Sequence, residues 1–462
     1  MQKPNIIFIF TDQHRKDSLG CYGNDICRTP NLDRLAKEGV LFENAYTTCP
    51  VCTPARASIQ TGLYPTKHGM QTNIFNHGCM MHELPDTSTL LSRRLQAAGY
   101  RAGYTGKWHL GYGWPARNDP YYQENYQRIE GVLHNTELPL EYKKTTSLPT
   151  TLGYEGDDFP GHGGGGQGYP QFQEYLKENG LKHELADPSQ KGEGEVVSGT
   201  ESTVAHFLTE RAFHHLENLR KGNEPFFFAL NYWGPHNPAY VPTEFLDLYR
   251  DLSLPPWASF YEDQTHKPRT HNVKRTKKPW EQFEESLRYY YAFVSLIDYE
   301  LGRLLAYLDE TGLADNTIII FTADHGDSMG VHNGLTDKSF FCYEETASIP
   351  MIIRPAGGLE QGRDESAFAN LTDVYSTILD YAGDNRDIEQ IDGRSLHPLI
   401  EGKKPADWPD TVVTETAGLG NCTTTQRMCR QGNFKYVFNF GDLEELYDLE
   451  SDPHEMENLA VK

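Results

Sequence analysis

Residues 6–10 (IIFIF) and 317–321 (TIIIF) are two short, almost wholly apolar runs that decide the fold of this 462-residue chain. The first run is followed by the polar residues TDQH and the second by TADH, so that Asp12 and Asp324 occupy equivalent places. A short run without polar alternation is typical of a strand buried on both faces of a parallel sheet. Because the carboxyl ends of parallel strands meet at one edge, we expect Asp12 and Asp324 to lie close together.

Outward from these two runs, segments with helical periodicity alternate with short strand-like segments. Further strands are predicted at 100–105, 225–231 and 350–354. Helices are predicted over 30–39, 89–98, 200–220, 281–311 and 371–382. Strands that alternate with helices predict an α/β fold, a sandwich in which a large mixed sheet, mostly parallel, is flanked by helices.

The pattern changes near residue 385. Short strands separated by turns predict a small antiparallel sheet, with members at 412–415, 434–438 and 446–449. We therefore divide the chain into a large α/β domain, 1–385, and a small C-terminal α+β subdomain, 386–462. Two long irregular insertions, near 114–198 and 237–278, interrupt the large domain, and such insertions are commonly the rim or lid of a functional site.

The charge of the chain restricts its partners. It has 42 Lys and Arg against 65 Asp and Glu, a formal net charge of −23. Such a surface repels nucleic acids and anionic membranes, and an anionic substrate needs a local basic pocket. No signal peptide precedes the first strand. We therefore expect a cytoplasmic protein that binds neither nucleic acid nor membrane, or an exported one if a leader is removed.

The segment 49–62 (CPVCTPARASIQTG) is the most informative for function. Cys49 and Cys52 form a C-x-x-C pair, which is typical of redox or zinc sites, but no second pair follows at the spacing of a zinc site. Alternatively, Pro54 favours the start of a helix, which would place Cys52 at a helix N-terminus, where free amides attract an anion. The residues alone leave both hypotheses open.

Three ordered motifs resemble those of the formylglycine-dependent sulfatases of the alkaline phosphatase superfamily. Residues 52–56 (CTPAR) match the C-x-P-x-R signature, and its extension follows as TG and YP at 61–65. Residues 105–111 (TGKWHLG) resemble the second signature, and LYDL at 446–449, with DP and NL after it, resembles the C-terminal ending. The resemblance runs from residue 5 to about residue 460. It implies an alkaline-phosphatase-like fold and hydrolysis of a sulfate ester, that of a small sulfated carbohydrate being the first expectation.

The resemblance also implies a divalent cation at the carboxyl ends of the two strands. Position by position, the matching metal ligands are Asp12, Gln13, Asp324 and His325. Calcium is the first expectation, because hard cations prefer oxygen ligands. Gln13 stands where many members have aspartate and His325 where many have asparagine. The site thus loses one negative charge and gains an imidazole nitrogen, which makes manganese the alternative.

The same resemblance assigns catalytic roles. A maturase, the formylglycine-generating partner, would oxidise Cys52, and the hydrated aldehyde would attack sulfur and release the alcohol. The second hydroxyl of the hydrate would then expel sulfate. Arg56 and Lys107 would support the hydrate, and His109 would be the base for the elimination.

His236 and Lys338 match the family residues that contact the sulfate group and its leaving oxygen, so the predicted substrate-binding residues are Lys107, His236 and Lys338. Together with Arg56 and a protonated His236, the two lysines would form the local positive site that an acidic chain needs for an anionic group.

Three alternatives of different classes stay open. A phosphonate monoester or phosphodiester hydrolase of the same superfamily shares the formylglycine and the Asp-Gln and Asp-His pairs, but Lys107 and His109 favour sulfate. If Cys52 is never oxidised, the chain would bind sulfated ligands without turnover. A redox protein would instead form a reversible disulfide between Cys49 and Cys52. The oligomeric state is not predicted.

Overall fold

The structure, a computed structural model, describes residues 3–74, 76, 79–111, 147–159, 163–189, 192–386, 388–420 and 422–461. The first predicted insertion lies only partly within these residues. The strands in chain order are β1 (Asn5–Asp12), β2 (Val40–Phe42), β3 (Ala45–Tyr46), β4 (Arg101–Gly106), β5 (Glu155–Gly156), β6 (Glu193–Val196), β7 (Phe226–Pro235), β8 (Ala239–Pro242), β9 (Thr317–Ala323), β10 (Met351–Arg354), β11 (Arg363–Glu365), β12 (Ala369–Asn370), β13 (Thr411–Leu419), β14 (Cys422–Gln431), β15 (Phe434–Asn439) and β16 (Glu445–Asp448).

The helices lie mainly between the strands of the large domain. In chain order they are α1 (Pro30–Lys37), α2 (Cys52–Thr61), α3 (Pro65–His68), α4 (Leu91–Ala97), α5 (Pro170–Glu178), α6 (Val204–Leu219), α7 (Thr243–Leu246), α8 (Trp280–Glu310), α9 (Glu344–Ala347), α10 (Leu371–Tyr381) and α11 (His397–Ile400). Among the described residues, no helix is both long and apolar enough to cross a membrane.

The main sheet has the strand order β11-β2-β10-β9-β1-β7-β4-β5. The predicted run 6–10 becomes the central strand β1, which pairs in parallel with β7 on one side and with β9 on the other. The strand predicted at 350–354 is confirmed as β10, and it runs antiparallel to β9 and β2. The sheet is therefore mixed and mostly parallel, as expected.

The position of β1 in the centre of the sheet explains why the run 6–10 is wholly apolar. Ile7 and Ile9 point into the core on one face of the sheet, packed with α1, α6 and α8. Ile6, Phe8 and Phe10 point into the core on the other face, packed with α2, α4 and α10. Helices thus cover both faces, and a strand between two cores has no solvent-facing position for a polar residue.

The predicted C-terminal sheet is also confirmed. It is a four-stranded antiparallel sheet in the order β13-β14-β15-β16. Its second strand, β14, was not predicted, because its sequence CTTTQRMCRQ is polar. The helix α11 precedes this sheet and buries Leu399 and Ile400 in the core that contains α10. The division of the chain at residue 385 stays a prediction.

Candidate functional site

The structure brings Asp12 and Asp324 together at the carboxyl edge of the main sheet. Thr11 pairs with Ala323 in the ladder between β1 and β9, so the two aspartates leave the sheet side by side. Both side chains are fully buried. The Arg56 guanidinium joins them, its Nη2 lying 2.8 Å from Oδ2 of Asp12 and 3.0 Å from Oδ2 of Asp324.

Cys52 is the first residue of α2, as its position before Pro54 predicts. The residue before the helix, Val51, provides no side-chain cap, and the amide of Thr53 in the first turn donates instead to Oδ1 of Asn73 at 2.9 Å. The Cys52 Sγ is buried and lies 3.7 Å from Oδ1 of Asp12 and 3.2 Å from Nε2 of His325. Arg56 follows one turn later on the same helix, so α2 supplies both a nucleophile position and a cation.

One ring nitrogen of His325 faces the cluster formed by Asp12, Cys52 and Asp324. Its Nδ1 lies 2.8 Å from the carbonyl oxygen of Gly326, which can only accept, so Nδ1 carries the proton and Nε2 faces Cys52 and Asp324. Burial lowers the pKa of His325, but the charges of Asp324 and Cys52 raise it to about 9.

The two carboxylates have opposite pKa shifts. Burial raises the pKa of Asp12, but Lys107 and Arg56 outweigh burial and hold that pKa well below its usual value. Burial raises the pKa of Asp324, and the neighbouring charge of Asp12 raises it further. Two adjacent buried carboxylates repel each other, and a bound dication would relieve that repulsion.

The donor set fits a divalent metal ion. Ligand atoms of Asp12, Cys52, Asp324 and His325 all lie within 4.8 Å of one another. The Nδ1 contact of His325 with a backbone carbonyl is the arrangement that metal-binding histidines normally have. Gln13 donates its backbone N–H to Oδ1 of Asp324 at 3.0 Å, whereas its side-chain oxygen accepts from Lys338 at 3.0 Å. Its role as a ligand stays a prediction.

Lys107 enters the site from the end of β4. Its Nζ lies 2.6 Å from Oδ2 of Asp12. The turn before it requires Gly106, whose φ is 97° and whose Cβ, if present, would lie 1.8 Å from the carbonyl oxygen of Asn231. His109 follows with a φ of 57°, its ring buried and its carbonyl accepting from Thr53 at 2.9 Å. Lys107 is thus in the cluster, and the role of His109 as base stays a prediction.

His236 and Lys338 meet on the open side of the cluster. The Nε2 of His236 lies 3.1 Å from Nζ of Lys338 and 4.0 Å from Oδ1 of Asp12. Burial, then Lys338 and Lys107, lower the pKa of His236 to about 3. The expectation of a protonated His236 is therefore wrong for the free site, because neighbouring lysines disfavour a further positive charge. The fixed cations are Arg56, Lys107 and Lys338.

Two aspartates near Lys338, the buried Asp327 and the partly exposed Asp337, were missed by the sequence analysis. Asp337 lies 3.0 Å from Nζ of Lys338 and raises the pKa of that lysine far above its usual value, against the effect of burial. Asp327 accepts a hydrogen bond from the Gln13 side chain. The sequence does place both aspartates near predicted site residues, because Asp327 follows Asp324 by three residues and Asp337 adjoins Lys338. Neither aspartate belongs to one of the three motifs.

Backbone strain is concentrated around the same residues. Gln13, Asp337, Ser339 and Phe340 have φ values between 48° and 62°, a left-handed conformation that costs energy in residues other than glycine. Such strain persists only where the surroundings determine the conformation, and it clusters at functional sites. The segment that carries Lys338 is therefore held rigidly.

The structure argues against a redox pair. Cys49 is buried in an apolar cluster with Val51, Phe341 and Tyr447. Burial raises the pKa of its thiol well above the usual value. A reactive cysteine needs a stabilised thiolate, which this environment disfavours.

Comparisons with known proteins agree with this geometry. The sequence model of the family described as Sulfatase matches residues 4–384, and that described as N-sulphoglucosamine sulphohydrolase, C-terminal, matches residues 330–462. An arylsulfatase of Clostridium perfringens is 30% identical over 99% of this chain and 90% of its own. An N-acetylglucosamine-6-O-sulfatase of Bacteroides thetaiotaomicron is 28% identical over 100% of this chain and 83% of its own. A crystal structure of a phosphonate monoester hydrolase from Agrobacterium radiobacter superimposes with a TM-score of 0.76 at 25% identity, covering 99% of this chain and 92% of that one.

Proposed function

The chain belongs to the sulfatase family and is a sulfuric ester hydrolase, and on that premise we propose that it releases sulfate from a carbohydrate sulfate at the cluster around Cys52. The observation that carries the proposal is the position of Cys52. Its Sγ stands at the N-terminus of α2, against His325 and Asp12, within the only described group that joins a cysteine to several potential metal ligands.

The cofactors are proposed from the residues that fit them. Cys52, once oxidised to formylglycine, supplies the hydroxyl nucleophile. Asp12, Gln13, Asp324 and His325 would hold the divalent ion, which when bound would supply positive charge to stabilise an anionic group. Calcium is the proposed ion, with manganese as the alternative because of the imidazole nitrogen of His325.

The chain's own cations bind and orient the anionic group. The guanidinium of Arg56 contacts both Asp12 and Asp324, so it holds the two carboxylates in one relative position. Lys107 and Lys338 approach from different segments and provide positive charge that exists before substrate arrives, which is how buried sites stabilise anionic transition states. His236, neutral in the free site, has its Nε2 beside Lys338 and can contact the leaving oxygen.

The carbohydrate substrate is supported by a relative. The relative from Bacteroides thetaiotaomicron is named for a 6-sulfated amino sugar, and it covers the whole of this chain. The phosphonate hydrolase shares the fold, and it therefore defines a competing reaction that the experiment must include.

The test begins with the mass of the peptide that contains Cys52, from protein co-expressed with a formylglycine-generating enzyme. We expect the thiol to be replaced by an aldehyde, and sulfate to be released from 4-nitrophenyl sulfate or sugar sulfates. Cys52→Ala should abolish release and Cys49→Ala should not. An intact thiol, with the maturase active on a control peptide, would refute the mechanism. Faster cleavage of a phenylphosphonate monoester than of any sulfate would favour the phosphonate hydrolase.

A further inference from the structure

A cavity of about 380 Å³ lies beside the predicted sulfate position. His236 and Lys338 belong to its wall, and Lys338 also contacts Gln13 in the metal cluster. The cavity therefore begins where the leaving oxygen of a bound sulfate ester would lie. Its volume is in the range of sites for small molecules, so it can hold the part of the substrate that remains after sulfate leaves.

The wall of this cavity has the chemistry of a sugar site. Gln282 and Ser286, spaced four residues apart on α8, face it together, whereas the hydroxyl of Tyr290 in the same wall already donates to the Gln13 carbonyl. Such amide and hydroxyl groups both donate and accept hydrogen bonds, as the hydroxyls of a sugar require. Phe283 and Met329 add apolar surface for the C–H face of a ring.

A basic segment borders the cavity. Residues 267–278 contain six Lys and Arg and no Asp or Glu, in a chain with 42 basic and 65 acidic residues. Several of these cations already have partners. Lys267 lies 3.7 Å from Glu262, and Lys274 lies 3.5 Å from Asp337. Lys278 lines the cavity instead.

Lys278 is available to a ligand. No carboxylate of the described residues lies within ion-pair distance of it, and it stands two residues before the first residue of α8, whose N-terminus has no side-chain cap. Three carboxyl groups also line the cavity, those of Glu193, Asp327 and Asp337, and burial raises the pKa of Glu193, which Ser286 and Lys278 lower again only in part. Lys278 is thus the lysine of the cavity wall that forms no ion pair with a described residue, since Lys338 pairs with Asp337.

We propose that the cavity binds the sugar of the substrate and that Lys278 binds a second anionic group on it, a sulfate or a carboxylate. The preferred substrate is then a carbohydrate sulfate that carries at least two negative groups. This inference rests on the proposed function, because it identifies the cavity from the position of the scissile sulfate. According to this inference, substrate choice also depends on the charge of Lys278, outside the residues predicted to contact the reacting sulfate.

The test is titration calorimetry in calcium buffer with Cys52→Ala, which cannot turn over. Three ligands separate the sources of charge: N-acetylgalactosamine 6-sulfate, its 4,6-disulfate, and the unsaturated chondroitin 6-sulfate disaccharide, which adds a carboxylate. We expect a second anionic group to tighten binding by about twofold to fivefold, as an ion pair of this exposure contributes. Adding Lys278→Gln should remove most of that gain for whichever group Lys278 binds.

Lys277→Gln is the matched control, because it removes the same charge from the adjacent residue, which is not among the described residues of the cavity wall. It should keep the preference. Equal binding of all three ligands, no binding of any, or equal losses in both variants would overturn the inference. Sulfate release by matured protein is measured separately. Release without a charge preference refutes the inference alone, whereas a charge preference without release from any sulfate ester refutes the proposed function.

Discussion

His332 should make the stability of this protein depend on pH, and His332→Phe tests this. The ring is fully buried, with Nδ1 3.1 Å from both carboxylate oxygens of Glu262 and Nε2 3.5 Å from Glu345. It also stacks on Tyr343, with ring centroids 3.5 Å apart. Phenylalanine preserves the stacked shape and removes the charge.

The magnitude follows from the shift in pKa. Burial lowers the pKa of His332, but Glu262 and Glu345 raise it to about 9, against about 6.5 in an unfolded chain. A shift of this size corresponds to about 3 kcal/mol of folding free energy. Because the folded pKa is the higher one, this contribution is complete below about pH 6.5 and is lost as the pH rises through about 9.

The assay is urea unfolding of both proteins at pH 6 and at pH 9.5, followed by tryptophan fluorescence. The free energy lost in the variant should be about 3 kcal/mol greater at pH 6 than at pH 9.5. His271→Phe is the matched control, because His271 is also buried beside Tyr343 and its pKa is held well below the usual value by burial and then by Lys267. The free energy lost in this control should be about 0.8 kcal/mol smaller at pH 6 than at pH 9.5, the opposite direction, because only the unfolded chain protonates His271 at pH 6. A loss in His332→Phe that is the same at both would refute the assignment of an ionised His332.

Three further predictions concern the site. Lys338→Met should lower kcat/KM about a hundredfold to a thousandfold, since it removes a buried cation from the predicted sulfate position. The control Lys274→Met, on the other side of Asp337, should lower kcat/KM far less. Equal losses in the two variants would contradict the assignment of Lys338. In chemical denaturation, Gly106→Ala should lower the free energy of unfolding by at least about 2 kcal/mol, because its Cβ would overlap the Asn231 carbonyl. The control Gly99→Ala has the same left-handed strain but no neighbouring atom, and it should lower the free energy of unfolding by about 1 kcal/mol. Chelation by EDTA should abolish sulfate release, and calcium or manganese should restore it; full activity after verified metal removal would contradict the metal site.

Much of the fold could be predicted from the sequence, because its strands lie between two cores. The runs that became β1 and β9 show no alternation of apolar and polar residues, and this pattern is typical of a strand between two cores. By contrast, β2 has only three residues and β14 is polar, so neither has a periodicity that a single sequence shows. Long-range pairing, rather than local preference, fixes such strands.

The site was predictable to a similar degree, for a different reason. Residues in signatures and at strand ends could be named in advance, and the structure brings Asp12, Cys52, Asp324 and His325 within ligand distance. The charge state of His236 could not be predicted, because it depends on two lysines that arrive from other segments. Electrostatic properties of a buried group depend on its neighbours in space, which a linear motif does not contain.

The C-terminal sheet acts on the site through contacts that explain its own signature. Tyr447, in β16, is fully buried, and its hydroxyl accepts from Lys267 at 3.0 Å and donates to Glu445 at 2.5 Å. Lys435, in β15, lies 3.0 Å from Glu344, the first residue of α9.

The helix α9 in turn contacts Gly326, the residue that follows His325. The amide of Gly326 donates to the carbonyl oxygen of Thr346 at 3.0 Å, and a Cβ on Gly326 would lie 1.9 Å from the carbonyl oxygen of Glu345. Because Gly326 also holds Nδ1 of His325, a displacement of α9 would rotate that ring away from Cys52. The C-terminal sheet is therefore connected to His325 through α9, because Lys435 contacts Glu344 at one end of that helix and Gly326 contacts Thr346 in it.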